Sequence, residues 1–259
     1  MSDRNSTTWL RSGYEGVAEF YDLFADNSDL PFYVNYARRT GSPILDVAAG
    51  AGRVTYELAR NGFQVTALEK SPSMLAVARS RLEKVPPDVA ARVSIVEGCM
   101  TDFELDQKFA LVIIPSSFGH ATTSEQQLSV LRCVRDHMRP DSLFLLDLYP
   151  GALSLGRVEF EDDPVSLDDG SLVSRRGVIN PDPVEQIIRV SLFFEVKTPQ
   201  GEEIETKKVE SEAAIIYNRE ADLLIEMSGF RVMEELGGFK GESYGPDSQK
   251  RILVLKREE

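Results

Sequence analysis

Short apolar runs alternate with amphipathic stretches from Pro43 to about residue 150. Ile44–Val47 reads as a buried strand, and a Gly-rich turn then leads into a helix with Val54, Leu58 and Ala59 on one face. Gly62 ends that helix ahead of a strand at Phe63–Leu68. Ser71 as N-cap and Pro72 at the first helical position open the next helix, with Leu75, Ala78 and Leu82 at helical spacing. Pro86–Pro87 breaks the chain before a third strand at Val93–Val96. Phe109–Ile114 is the fourth strand. A helix from near Ser124 carries the stripe Leu128, Leu131, Val134 and Met138, and Arg139–Pro140 stops it. Leu143–Leu148 is the fifth strand. Five strands alternating with helices predict an open parallel sheet with helices on both faces and right-handed crossovers.

From Gly151 the pattern changes. Ser171–Ile179, Gln186–Lys197 and Glu203–Tyr217 are rich in β-branched residues, with strict alternation at Val190, Leu192, Phe194 and Val196. Asn180–Pro183 and Pro199–Gly201 supply turns, so an antiparallel excursion is expected. Leu192, Phe194 and Val196 would pack it onto the body, and the acidic run Glu159–Asp163 reads as a solvated loop. A helix from Asn218 to Gly229 and strands at Phe230–Leu236 and Arg251–Leu255 would complete the main sheet. The expected fold is α/β: a Rossmann-like, mostly parallel seven-stranded sheet with helices on both faces and an antiparallel β excursion, or lid, after the fifth strand. The expected boundaries are 1–150 for the N-terminal helices and core, 151–217 for the excursion, and 218–259 for the closing helix and strands.

Composition narrows the function classes. The 259 residues carry 29 Lys plus Arg against 42 Asp plus Glu, a formal net charge of -13. That field disfavours general binding to nucleic acid or an anionic membrane surface. The opening MSDRNSTTWLRSG lacks an apolar core for a secretory signal, and no apolar run approaches bilayer length. Cys99 and Cys133 lack metal-ligand spacing, so reduced thiols in a cytoplasmic protein without a metal are expected. A homodimer remains open as its assembly.

Candidate chemistry begins at Asp46-Val47-Ala48-Ala49-Gly50-Ala51-Gly52-Arg53, directly after one strand and opening a helix. Small residues let the backbone approach a ligand, and a helix N-terminus offers unpaired N–H groups to a carboxylate. Glu69 ends the second strand, where one carboxylate can accept from both hydroxyls of a ribose. A dinucleotide fingerprint would want Gly at the position of Thr55, and Asp46 is ill-placed beside two phosphates. Asp46 suits an ammonium group, which points to S-adenosylmethionine over NAD.

The segments ILDVAAGAGRVTYELA, VTALEKSPSMLAVAR, VEGCMTDFEL and FALVIIPSSFGH, with Tyr14 and Tyr21-Asp22, resemble class I S-adenosylmethionine-dependent methyltransferases. The small-molecule subgroup that includes amino-sugar N,N-dimethyltransferases is the most similar. The resemblance implies that Asp46, the turn Ala48, Ala49, Gly50, Gly52 and Arg53 hold the methionine end. It places Glu69 on the ribose, with Lys70 and Met74 beside it. Cys99 and Met100 would flank adenine, Cys99 standing where relatives commonly have Asp. Ile114 and Pro115 would lie by the sulfonium, and Tyr21 would close over the cofactor. His120 and Tyr14 are implied to face the acceptor.

His120 follows the fourth strand at its C-terminal end, where open α/β sheets bind ligands, and an imidazole suits a general base near neutral pH. Asp147 and Tyr149 end the fifth strand and are candidate substrate contacts, Asp147 for a cationic amine. His137, in the last turn of its helix, merely suits the dipole as a cation. The expected activity is methyl transfer from S-adenosylmethionine to a small molecule, at an amine nitrogen. The alternatives are O-methylation of a hydroxylated metabolite, an NAD-dependent oxidoreductase, and a non-catalytic S-adenosylmethionine-binding protein.

Overall fold

The central strands of the main sheet are buried on both faces, which is why they read as continuous apolar runs. The computed structural model describes residues 14–149, 156–248 and 250–258. In chain order it comprises α1 (Ala18–Tyr21), a 3-10 turn (Asp22–Phe24), α2 (Leu30–Thr40), β1 (Ile44–Val47), α3 (Arg53–Arg60), β2 (Val65–Glu69) and α4 (Pro72–Lys84). There follow α5 (Pro87–Ala90), β3 (Val93–Glu97), β4 (Phe109–Ile114), a 3-10 turn (Phe118–His120), α6 (Ser124–Asp136) and β5 (Met138–Leu148). Then come β6 (Val158–Glu161), β7 (Val165–Ser166), β8 (Leu172–Asp182), β9 (Ile187–Lys197), β10 (Glu203–Ala214), α7 (Asn218–Met227), β11 (Phe230–Leu236) and β12 (Arg251–Arg257).

The seven-stranded sheet runs β11-β12-β5-β4-β1-β2-β3, with β12 alone running against the others, between β5 and β11. Successive residues of β4 serve opposite faces. Val112 and Ile114 join α6 and α7 in one core, while Leu111 and Ile113 join α2 and α3 in the other. Ser71 caps α4 by accepting from Met74 N at 3.3 Å, as its sequence position predicts.

The excursion is a separate five-stranded antiparallel sheet, ordered β10-β9-β8-β6 with β7 also on β8. Val173, Leu192, Phe194 and Val196 are buried against Val17 and Phe20, so its apolar stripe packs on the N-terminal segment. Four local expectations shift. The second strand starts at Val65, because Gly62 (φ 94) and Phe63 still belong to the turn after α3. The fifth begins at Met138, since Phe109 pairs with Met138 straight across the Arg139–Pro140 segment. The β8–β9 turn lies at residues 183–186, because Asn180 and Pro181 remain paired with Arg189 and Ile188. The acidic run Glu159–Asp163 is not a loop: Val158–Glu161 forms β6, and Asp162 pairs with Arg175.

Candidate active site

A cavity of ≈ 840 Å³ opens over the C-terminal ends of β1, β2, β4 and β5, walled by the N-terminal segment and by the inner face of the excursion. Strand ends expose loops there because parallel β-α units turn on that side of the sheet.

The Gly-rich turn forms one wall. Ala48 takes a left-handed conformation (φ 56), and Gly52 (φ 85) begins α3 with no room for a side chain. A Cβ on Gly52 would come within 2.6 Å of the Tyr56 ring. Glu69 ties the turn to β2: its Oε2 accepts from Gly50 N at 2.8 Å, and its Oε1 from Lys70 N at 2.9 Å and Ser71 N at 2.8 Å. Asp46 is fully buried beside the turn. Its Oδ2 accepts from Thr55 Oγ1 at 2.6 Å, while Oδ1 has no hydrogen-bond partner among the described residues. Burial pushes this carboxyl up to about 7, against the opposing hydrogen bond from Thr55. Thr55 therefore has a job of its own, holding one oxygen of Asp46 and leaving the other without a partner among the described residues.

The N-terminal segment covers this wall. Tyr21 and Met74 pack around Ala51, and Tyr14 stacks against Tyr21 with ring centroids 4.7 Å apart. Glu15 accepts from Ser73 N at 3.1 Å, and Gly16 N donates to Ser73 Oγ at 3.1 Å, which pins the segment to the start of α4. Asp22 pairs with Arg81. Arg53 faces the cavity but commits its guanidinium to Asp29, with contacts of 2.5 and 2.7 Å.

On the acceptor side, Tyr14 and His120 meet edge to face at 5.8 Å between centroids. His120 Nδ1 lies 3.1 Å from the main-chain oxygen of Glu212 in β10. Gly119 allows that approach, since a Cβ there would already touch Ala213 at 3.4 Å. A carbonyl oxygen can only accept, so Nδ1 carries the proton and Nε2 keeps the lone pair of the neutral ring. Burial lowers the His120 pKa below the ordinary histidine value. Tyr14 is raised, chiefly by burial and against a hydrogen bond with Ser211.

Asp147 lines the cavity, but its carboxylate is already spent. It accepts from Ser116 N at 2.6 Å and Ser116 Oγ at 2.9 Å, and Lys250 Nζ lies 2.7 Å away. The expectation that Asp147 awaits a cationic amine is corrected: the ammonium of Lys250 occupies it. Lys250 also sits 4.9 Å above the exposed Tyr149 ring and 4.7 Å from that of Phe239. Burial pulls the Lys250 pKa down, but the Asp147 charge outweighs this and holds it above the ordinary value.

Of the other expected residues, Ala48, Ala49, Gly50, Lys70, Met100 and Pro115 line the cavity. Burial lowers the Lys70 pKa. Cys99, Ile114 and Gly52 do not line it. Cys99 is turned into the core, its Sγ 3.1 Å from Thr101 Oγ1, and Ile114 packs under α6 because the pleat sends its side chain to that face. His137 is no dipole-compensating cation: Nδ1 lies 2.7 Å from Cys133 O, and Nε2 accepts from Leu105 N at 2.8 Å. An imidazole that accepts at one nitrogen and donates at the other is neutral. Lys250, Arg175, Asp29 and Ser211 were not anticipated. Lys250 could have been found from its place immediately before the last strand, which pairs with β5 at Arg251 and Leu148.

These residues fit S-adenosylmethionine. The orphaned Asp46 Oδ1 is an acceptor for an ammonium, and the cavity is at the upper end of the usual ~300–1,000 Å³ range for ligand sites. A pyrophosphate would meet the buried carboxyl of Asp46.

Residues 44–141 match the family model described as a methyltransferase domain. A dTDP-3-amino-3,6-dideoxy-alpha-D-glucopyranose N,N-dimethyltransferase of Streptomyces fradiae is 29% identical over 177 residues, which is 61% of this chain and 66% of that protein. A dTDP-3-amino-3,4,6-trideoxy-alpha-D-glucopyranose N,N-dimethyltransferase of Streptomyces venezuelae is 29% identical over 170 residues, 61% of this chain and 67% of that one. The matched part thus spans about two thirds of these curated relatives. Among solved structures, the CcbJ methyltransferase of Streptomyces caelestis superimposes with a TM-score of 0.76 at 20% identity, over 95% of this chain and 98% of that one. A sugar N-methyltransferase of Streptoalloteichus sp. gives 0.76 at 18% identity, over 100% and 99%. At such identities these two structures establish the fold. No helix among the described residues is long and apolar enough to cross a membrane.

Proposed function

We infer that this chain is an S-adenosylmethionine-dependent methyltransferase that methylates an amine nitrogen of a small molecule, with His120 as the proton acceptor. The observation that carries this reading is that His120, Tyr14, Asp46 and the turn Ala48, Ala49 and Gly50 all line one cavity. The curated relatives named above are sugar N,N-dimethyltransferases, which favours nitrogen over oxygen. The work would take place in the cytoplasm, on a free small molecule and without nucleic acid.

When bound, S-adenosylmethionine supplies a methyl carbon activated by its sulfonium. Asp46 Oδ1 would receive the ammonium, the N–H groups of the turn the carboxylate, and Glu69 the ribose hydroxyls. Met100 and Pro115 would border adenine and the sulfonium. Tyr21 would hold the cofactor from the N-terminal side, and Tyr14 would orient the acceptor. Alignment of the two reactants is the main catalytic contribution of such a site. His120 Nε2 would take the proton that the methylated nitrogen must lose. Its lowered pKa keeps it unprotonated at neutral pH.

The test is transfer of isotope from labelled S-adenosylmethionine to panels of small amines and phenols. Labelled amine is expected. Labelled phenol alone would overturn the nitrogen assignment in favour of O-methylation.

A further inference from the structure

The inner face of the excursion is apolar beyond the part that the protein itself covers. Alternate residues of a strand share one face. At one end of that face, Phe194 and Val196 are buried against Val17 and Phe20. At the other end, Val158, Ile179, Pro181, Ile188 and Ala213 line the cavity and lie outside that packed cluster. They are neighbours by register: Val158 opposes Ile179, and Pro181, Ile188 and Ala213 stand in one row across β8, β9 and β10. Gly177 lets the wall lie flat, because a Cβ there would collide with Phe160 and with Leu192.

Two cations that line the cavity are paired: Arg175 holds Asp162 at 2.7 Å and lies 4.6 Å over the Phe24 ring, and Lys250 holds Asp147 at 2.7 Å. A hydrocarbon body would cover the aliphatic wall and release its water without disturbing either pair.

Resting on the amine reading above, we propose that the acceptor is an amine on an apolar body, which the row Ile179, Pro181, Ile188 and Ala213 selects. Specificity then lies in the excursion, while the cofactor is held by the main sheet.

The experiment measures kcat/KM for 4-alkylcyclohexylamines of increasing chain length, and for a thymidine-diphosphate amino sugar. Each methylene buried on the wall is expected to raise kcat/KM about fourfold until the wall is covered. The nucleotide-linked amine is expected to fall at least tenfold below the best alkyl member. Ile188→Asn, on a half-buried strand position in that row, is expected to flatten the alkyl series while leaving cofactor affinity by calorimetry unchanged. A flat series in the wild-type protein, or a preference for the nucleotide-linked amine, overturns the inference alone. No transfer to either kind of amine, with the cofactor bound, overturns the amine reading and this inference with it.

Discussion

The Nδ1 atom of His120 stands 3.1 Å from the main-chain oxygen of Glu212, so a strand of the excursion sets the tautomer of an imidazole that follows β4. The ring nitrogen left for the cavity is the basic one. His120→Asn should therefore lower turnover by about 10²–10⁴-fold with little change in cofactor affinity. The wild-type rate should rise with pH through one ionisation below the ordinary histidine value, the direction in which burial moves this group. Stopped assays across pH, with calorimetry on both proteins, check this. An unchanged rate and profile in the variant would leave His120 with no part in the reaction.

Asp46 couples binding to protons. Its folded pKa is raised to about 7 by burial, while the unfolded carboxyl titrates near 3.9. Between those values the folded chain holds a proton that the unfolded chain has lost, so this group makes stability fall as pH rises from about 4 to about 7. An ammonium at Oδ1 would favour the ionised form. Near pH 6.5, cofactor binding should then release up to about one proton, seen as a dependence of binding enthalpy on the buffer's ionisation heat. In Asp46→Asn that dependence should disappear.

Glu69→Gln is expected to weaken cofactor binding by about 1.5–3 kcal/mol, as a charged acceptor for two hydroxyls is lost. The same carboxylate accepts from three main-chain N–H groups, so the midpoint of thermal unfolding should fall as well. Calorimetry at a temperature where the variant remains folded separates the two effects. Wild-type affinity there would refute the ribose assignment.

Cys99→Asp, which would introduce the residue that the family resemblance implies at this position, is not expected to improve binding here. The side chain is buried in the main core and does not line the cavity. A carboxylate in that place should destabilise by about 1–3 kcal/mol or more, as an incompletely paired buried polar group does. Denaturant unfolding and calorimetry should show lower stability with no gain in affinity. Tighter binding would mean that this side chain reaches adenine.

Lys250→Ala strands a buried carboxylate. Asp147 would keep its two bonds from Ser116 but lose its counter-charge, and about 3–5 kcal/mol of stability should go with it. The double variant Asp147→Asn with Lys250→Met removes both charges and should recover most of that loss. Chemical denaturation of the three proteins tests this. A double variant as unstable as the single would show that the loss came from packing on Tyr149 and Phe239.

The succession of strands and helices along the chain was legible because each element announces itself locally. Strands buried on both faces must be apolar at successive positions, as Leu111–Ile114 are. A helix that starts on a tight turn needs small residues such as those from Ala48 to Gly52. The alternation through Val190–Val196 likewise follows from the two-residue period of a strand with one covered face. What these patterns leave out is which distant residue a side chain will meet. Lys250 is 103 positions from Asp147, and Glu212 is 92 from His120. Each pair exists only because β12 lies in register beside β5, or because β10 packs on the turn after β4. Register over such distances depends on the summed burial of whole sheets. For the same reason an acidic run could become β6, since pairing with β8 outweighs local polarity, and Cys99 could turn inward while its neighbour Met100 faces the cavity. The local chemistry of the turn was carried by the sequence. The partners that neutralise Asp147, set the proton on His120 and shape the acceptor wall were decided by tertiary structure, because only long-range packing brings those groups within reach.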